Sequence, residues 1–344
     1  MKEMCIVEDI DILQAMKQLD ISGKKVLFVQ EEGRLLATVT DGDIRRWLLK
    51  NGDLRVPVKC VANYNPVYLY EEQINMAQHA LREYQIDAIP LVDKNKKIKK
   101  IIFWDRQEIG KEAFSEDVPI VIMAGGLGTR LSPYTNILPK PLIPIGEIPI
   151  AEHIINSFKQ YGCKEYYMIV NYKRNMIKAY FDEVEKDYSL KFVMEEKKLG
   201  TGGGVSLLKG DVKSTFILTN CDILIEEDLS KAYKRHKETG NMITMICSLK
   251  NFTIPYGVVN VDENGDIDTM QEKPEMTFLT NTGCYIVEPQ VIEEMTYNEP
   301  IDFPVLIENC KAKGYRIGVY PISESSWLDM GQFDEMEKMR QRFE

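Results

Sequence analysis

Histidine is scarce in this chain, three in 344 residues, and the three stand far apart at His79, His153 and His236. That leaves no histidine spacing for a metal site, and no histidine beside Ser325 or Ser326 in sequence. Cys-x-x-Cys pairs are absent too. The seven cysteines, Cys5, Cys60, Cys163, Cys221, Cys247, Cys284 and Cys310, are scattered singly, which argues against a zinc site or a disulfide framework and for reduced thiols. No apolar run approaches the roughly 20 residues of a membrane span, and Met1 to Asp20 mixes acidic with apolar residues instead of showing a signal pattern. Positive charge is also short: 43 Lys and Arg against 53 Asp and Glu give a formal net charge of -10. Such a balance excludes a broad face for a nucleic-acid backbone. The expectation is a cytoplasmic protein with neither membrane nor nucleic acid as partner, in which a local cluster of positive groups meets any anionic ligand.

What is present is organised in two styles, and the 44% hydrophobic content suffices for a core in each. The front part repeats itself at a spacing of roughly 60 residues. Val26 to Gln30 and Leu35 to Thr40 read as a strand pair around the turn Glu31-Glu32-Gly33-Arg34. Ala88 to Val92 and Ile98 to Phe103 read as a second pair around Asp93-Lys94-Asn95-Lys96. A helix is expected before and after each pair. A unit this short buries its sheet best against its twin, which predicts one pseudo-symmetric α+β domain.

The passage Thr38-Val39-Thr40-Asp41-Gly42-Asp43-Ile44-Arg45 resembles the end of a cystathionine-β-synthase-type (CBS) domain. That resemblance implies a paired module binding an adenine nucleotide, with Thr40 near the phosphate and Asp43 on the ribose. Thr40 and Asp43 are also ordinary N-cap residues for a helix starting near Ile44. The second copy departs from the pattern, with Phe103-Trp104-Asp105-Arg106 where the Thr-x-x-Asp would stand, which speaks against a second ligand site.

Lys111 to Asp117 reads as a polar linker, placing the boundary between residues 1–115 and 116–344. From Val118 onward apolar strands alternate with amphipathic helices, the pattern of a three-layer α/β domain. Strands are expected at Val118 to Met123, Tyr166 to Val170, Lys191 to Met194, Thr215 to Leu218 and Met242 to Ser248. Helices are expected at Ala151 to Tyr161 and Leu229 to Glu238.

Directly after the first of these strands stands Met123-Ala124-Gly125-Gly126-Leu127-Gly128-Thr129-Arg130-Leu131-Ser132-Pro133. Three glycines in four positions let backbone N–H groups face an anion unobstructed. The run is not a Walker motif, which needs Lys-Ser/Thr after its last glycine, nor a dinucleotide fingerprint, which needs a third glycine where Leu131 stands. Arg130 offers a planar, bidentate cation for outer phosphates. Lys140, between Pro139 and Pro141, is a point charge on a stiff segment.

This run, continuing through Leu142-Ile143-Pro144-Ile145, resembles the signature of the sugar-1-phosphate nucleotidylyltransferases, and the likeness extends from Val118 to Glu344. It implies a three-layer Rossmann-like nucleotidyltransferase domain that joins a nucleoside triphosphate to a sugar-1-phosphate and releases pyrophosphate. Ala124, Gly125, Gly126, Gly128 and Thr129 would bind the nucleotide. Gly200 and Thr201, in Leu199-Gly200-Thr201-Gly202-Gly203, would border its base and ribose. Asp222 of Asn220-Cys221-Asp222 and Asp329 of Trp327-Leu328-Asp329-Met330-Gly331 would hold Mg2+, a hard cation that takes one or two carboxylates and completes its shell with water and phosphate oxygens. Gly257, Glu272, Asn281 and Thr282 would line the sugar, with Lys273 on its phosphate and Arg130 and Lys140 on the triphosphate.

Thymidylyl members tend to carry a glutamine-containing stretch before the base loop, whereas this chain has Glu195-Glu196. That favours the guanylyl, cytidylyl and uridylyl branch. The fusion with paired CBS domains resembles the glucosamine-1-phosphate guanylyltransferases of bacterial nonulosonate pathways, so GTP is the first choice of nucleotide. Mannose-1-phosphate guanylyltransferase is the near alternative. A catalytically silent nucleotide-sensing regulatory protein is the alternative of another class, and it is disfavoured because both aspartates, Arg130 and Lys273 are present. Pairing of CBS domains further implies a homo-oligomer.

Overall fold

A computed structural model describes residues 4–50, 53–84, 86–103 and 112–343. The chain divides into two compact units, Met1–Ile109 and Gly110–Glu344.

The first unit is a repeated motif. β1 (Cys5–Ile6), α1 (Ile12–Ser22), β2 (Val26–Glu31), β3 (Arg34–Thr40) and α2 (Asp41–Leu48) form the first copy. β4 (Leu69–Tyr70), α3 (Ala77–Glu83), β5 (Ala88–Val92) and β6 (Ile98–Phe103) form the second. Each copy has a three-stranded sheet in which a short strand runs parallel to the second and the second antiparallel to the third. The expected turn closes β2 to β3 with Glu32 and Gly33 both at positive φ, the backbone that a two-residue hairpin needs to match strand twist. The copies pack on each other as their length requires: Leu35 N–H donates to the Lys96 carbonyl at 2.9 Å and Ile98 N–H to that of Gly33 at 3.0 Å. Phe28 and Leu35 share a core with Ala88, Val92 and Ile98. Trp104, Asp105, Arg106 and the helix expected after β6 lie outside the described residues.

The second unit is built on a seven-stranded sheet. Its elements are β7 (Ile120–Ala124), α4 (Tyr134–Ile137), β8 (Pro144–Ile145), β9 (Ile148–Pro149), α5 (Ile150–Lys159), β10 (Glu165–Val170), α6 (Arg174–Glu183), β11 (Ser189–Met194), β12 (Phe216–Asn220), β13 (Ile223–Ile225) and α7 (Leu229–Thr239). They continue with β14 (Ile243–Thr253), β15 (Val258–Val261), β16 (Ile267–Gln271), β17 (Glu275–Val287), α8 (Pro289–Glu294), α9 (Phe303–Ala312), β18 (Ile317–Ile322), β19 (Trp327–Asp329) and α10 (Phe333–Phe343). The large sheet runs β11-β10-β7-β12-β17-β14-β18. Its first four strands are parallel, and β17 is antiparallel to both neighbours.

Alternation along β7 explains the three layers. Ile120, Ile122 and Ala124 face one core with α5 and α6, whereas Val121 faces another with α8, α9 and the turn of helix at Gly203–Leu208. Phe114 and Glu116, expected in a polar linker, belong to this unit instead. Phe114 stacks on Tyr161 with ring centroids 4.8 Å apart, and Glu116 accepts from the Tyr233 hydroxyl at 2.7 Å. Among the described residues no helix is long and apolar enough to cross a membrane.

Candidate active site

Strand order reverses at β7, whose partner β10 leads outward on one side while β12 lies on the other. Open α/β sheets bind ligands in the crevice at such a point, beyond the carboxyl ends of the strands. The glycine run leaves β7 there. Gly128 has φ +65, and a β-carbon on it would lie 2.7 Å from Thr135 Cγ2 and 3.4 Å from Lys140 Cβ. Thr135 Oγ1 donates to the Gly128 carbonyl at 2.9 Å. The loop is thus pinned against the segment carrying Lys140, while Gly126, Thr129 and Arg130 stay exposed.

Asp222 follows the end of β12, and Asp329 ends β19. The two meet because β13 pairs antiparallel with β19, setting Ile223 opposite Asp329, and Met330 N–H donates to the Asp222 carbonyl at 2.8 Å. Lys140 Nζ makes an ion pair with Asp222 Oδ2. Desolvation is the largest single influence and would lower the Lys140 pKa, but the acidic groups around it, Asp222 foremost and Asp329 with it, together outweigh it and the net direction is up, so the ammonium is held charged. Burial, with the Asp222 charge beside it, raises the Asp329 carboxyl above its ordinary value, although Gly331 N–H donates to it at 2.7 Å. A close carboxylate pair with oxygen donors only suits a hard divalent cation. Among the described residues no group of three or more His, Cys, Asp or Glu side chains could hold a metal, so the fit is to an ion that takes two protein carboxylates. Burial pushes the neighbouring Cys221 thiol up to about 12, which keeps it a neutral packing residue.

The Leu199–Gly203 loop, expected to border the nucleotide, follows β11 and lies against Glu299 to Phe303. Glu195 follows β11, is 5% exposed, and lies between two glycine-containing segments. A β-carbon on Gly125 would be 2.7 Å from Glu195 Oε2, and one on Gly204 would overlap Oε1. Oε1 has no hydrogen-bond partner among the described residues, and burial raises the carboxyl to about 7. Its sequence neighbour Glu196 points outward to Arg174 at 3.0 Å. Gly200 takes φ +76, and Thr201 is held by Asp302 and Phe303.

Beyond the sheet, β14 and β17 extend as a two-stranded arm ending in the β15–β16 hairpin. Gly257 and Glu272 face each other at the hairpin base, where a β-carbon on Gly257 would lie 3.1 Å from Glu272 Oε2. Lys273 is exposed and has φ +45, a conformation that a lysine holds only under constraint and that clusters at functional sites. Asn281, Thr282 and Gly283 form a β-bulge: Ile246 pairs with Cys284 and Cys247 with Asn281, leaving Thr282 and Gly283 unmatched. The buried Thr282 hydroxyl donates to the Ile246 carbonyl at 2.7 Å, so its role here is to shape the bulge. Asn281 stays exposed, its amide nitrogen donating to Tyr285 OH at 2.6 Å. Among the described residues no hydrogen bond or ion pair joins Arg130 or Lys273 to the carboxylate pair, whose ion-pair partner is Lys140.

One residue at the site carries no signal in the sequence motifs, and a second is legible there without its placement. Lys250, in the arm, lies over the Trp327 ring at 4.9 Å and draws the Asp329 carboxyl downward, yet it stands in a strand without a motif. Glu195 is legible only together with Glu196, as an acidic pair where thymidylyl members tend to carry glutamine, and the sequence does not separate the buried glutamate from the exposed one.

The fold and the reversal point place this chain among α/β proteins that bind ligands over the ends of parallel strands. The family model described as nucleotidyl transferase matches residues 120–344, and the chain belongs to that family. It is 31% identical over 237 residues to UTP--glucose-1-phosphate uridylyltransferase of Synechocystis, covering 62% of this chain and 60% of that protein. Mannose-1-phosphate guanyltransferase of Pichia angusta is 34% identical over 227 residues, with the same shares. The match thus spans 60% of the length of both relatives. D-glycero-alpha-D-manno-heptose 1-phosphate guanylyltransferase of Campylobacter jejuni is 31% identical over 213 residues, 61% of this chain and 93% of that one. The crystal structure of HddC from Yersinia pseudotuberculosis shares the fold, with a TM-score of 0.53 and 22% identity over 66% of this chain and all of that one.

Proposed function

We propose that the protein is a sugar-1-phosphate nucleotidylyltransferase. An oxygen of the sugar-1-phosphate attacks the α-phosphorus of a nucleoside triphosphate, a P–O bond forms, the bond from the α-phosphorus to the bridging oxygen breaks, and pyrophosphate leaves. The observation that carries the reading is the convergence of Lys140, Asp222 and Asp329 beside the glycine loop that follows β7. Such a reaction needs positioning and charge neutralisation rather than a covalent intermediate.

Asp222 and Asp329 would hold Mg2+, which when bound would neutralise phosphate charge where the transfer occurs. The backbone of Ala124 to Thr129 would cradle the triphosphate, with Arg130 on the departing pyrophosphate. Lys140, kept charged by Asp222, would stabilise the α-phosphate. Lys273 would bind the attacking phosphate, and Gly257, Glu272 and Asn281 would receive the sugar, the exposed Asn281 able to donate and accept.

GTP is the nucleotide best matched to the base side. Once ionised, above about pH 7, a carboxylate such as Glu195 accepts from the adjacent N1–H and N2–H groups of guanine, two donors side by side. Uracil and thymine offer one N–H flanked by two carbonyl oxygens, which a carboxylate repels. A hexosamine-1-phosphate, glucosamine-1-phosphate first, is our choice of second substrate, with mannose-1-phosphate next; the guanylyltransferases among the relatives support the base.

For the first unit we favour paired CBS domains, a reading supported by the two like sheets packed together. An adenine nucleotide would bind near Thr40 and Asp43, and the pair would support a homo-oligomer in the cytoplasm. Thr40 and Asp43 already form a capping box on α2: Thr40 Oγ1 donates to Asp43 Oδ2 at 2.7 Å and accepts from Asp43 N–H at 3.1 Å. Nucleotide would therefore meet a pre-ordered helix start.

The test is pyrophosphate release with Mg2+ across a grid of nucleoside triphosphates and hexose- or hexosamine-1-phosphates. Release with GTP and one sugar phosphate is expected. Silence across the grid with nucleotide binding retained would replace this proposal with a regulatory protein.

A further inference from the structure

Asp302 stands at the N-cap of α9, yet its side chain makes no capping hydrogen bond to that helix. An N-cap aspartate ordinarily accepts from the N–H two or three residues on. Here Oδ1 is turned into the Leu199–Gly203 loop, where it accepts from Thr201 N–H at 3.0 Å and from Thr201 Oγ1 at 3.2 Å. The same threonine hydroxyl accepts from Phe303 N–H at 3.0 Å, so its rotor is fixed from both sides. Gly200 is shaped for this approach, because at φ +76 a β-carbon on it would lie 2.7 Å from Asp302 Oδ1.

The rest of the loop hangs on the same short segment. Gly202 and Gly203 both donate to the Ile301 carbonyl at 2.9 Å, and Ile301 N–H donates to the Leu199 carbonyl at 3.0 Å. On one side this segment is anchored by Phe303, which is buried and packs on Tyr285 with ring centroids 4.1 Å apart. On the other, Glu299, Pro300 and Ile301 line a half-open pocket of about 510 Å3 shared with α8 and α9.

We propose that Asp302 is a positioning residue for nucleotide binding: its carboxylate trades helix capping for a clamp on Thr201 that presets the base-side loop for the nucleoside triphosphate. The proposal rests on the reading of that loop as nucleotide-binding. Preorganisation of this kind lowers the ordering cost of binding and leaves the chemical step alone.

Three variants test it, each read by amide hydrogen exchange of Thr201 to Gly203, by melting temperature and by steady-state kinetics. Asp302→Ala should speed exchange in the loop and raise the KM for the triphosphate about tenfold, the size expected for losing hydrogen bonds to a charged acceptor. Turnover and the KM for sugar-1-phosphate should stay within about twofold of wild type. Asp302→Ser, a good helix cap too short for the clamp, should reproduce that KM defect with a wild-type melting temperature, which keeps the test valid if the alanine variant folds poorly. Asp302→Asn keeps the acceptor oxygen and should restore most of the affinity. Unchanged KM despite faster exchange overturns the proposal, as does a matched fall in turnover and both affinities in the serine variant. If the wild type turns over no triphosphate, the catalytic reading fails, while the clamp itself is still judged by exchange: unaltered protection in the alanine and serine variants overturns it.

Discussion

Asn220 fills the space that a β-carbon on Gly283 would need. The end of β12, which leads to Asp222, is thereby keyed to the bulge in β17. Gly283 also has φ +85, so alanine there meets both strain and overlap. Gly283→Ala should destabilise the protein by about 1–3 kcal/mol and displace Asp222 enough to lower turnover. Denaturant unfolding and pyrophosphate release check both. Adding Asn220→Ala should recover part of the stability, because the two residues contend for one volume.

Lys140 and Asp222 form the charged centre of the proposed reaction. Either Lys140→Met or Asp222→Asn should reduce turnover by about 100-fold or more, as expected for removing one preorganised charge at a phosphoryl-transfer centre. Stability should change less. Near wild-type turnover of Asp222→Asn with Mg2+ would remove that residue from the metal site.

Glu195 ties recognition to pH. Its folded value of about 7 lies above the ordinary 4.5, so the native state keeps a proton that the unfolded chain releases. The stability linked to this group is fully present below about 4.5 and is lost as pH rises toward 7, a change of about 1–3 kcal/mol. Glu195→Gln should remove that slope, read as denaturation midpoints at pH 5 and pH 8. Assayed at pH 8, where the wild-type carboxyl is ionised, the same variant should lose preference for GTP over UTP, since an amide offers one donor and one acceptor in place of two acceptors.

Removing residues 1–109 tests the first unit and leaves Phe114 on Tyr161. The second unit retains its own two cores, so basal turnover should persist while any response to adenine nucleotides and the oligomeric size change. Sizing by light scattering and assays with added AMP or ATP give the answer. Identical behaviour of the full and shortened chains would refute both roles.

Part of the candidate site was legible in the sequence. The glycine run and the aspartates are local patterns, and the parallel strands announce themselves because both faces are buried and the apolar run is continuous. The antiparallel half was harder to read. β14 extends to Thr253 rather than ending near Ser248, and β17 was not foreseen as a strand, because the distal halves of both carry exposed Phe252, Met276 and Phe278 on an arm without a core to set the period. Glu195 shows the other limit. Two adjacent glutamates look alike in sequence, and what separates them is the placement of Gly125 and Gly204, distant in the chain, around one of them and Arg174 beside the other.

The bulge at Thr282 and Gly283 divides β14 and β17 into a root and a limb. The root, Ile243–Ile246 against Cys284–Val287, is wedged into the sheet, whereas the limb runs on to the hairpin bearing Gly257, Glu272 and Lys273. Everything proposed to grip the second substrate from that side therefore sits outboard of one joint. Such a limb is a modular part only beyond Lys250, which lies over Trp327 and acts on Asp329: past that point its length and tip can change what the hairpin meets and leave the carboxylates in place.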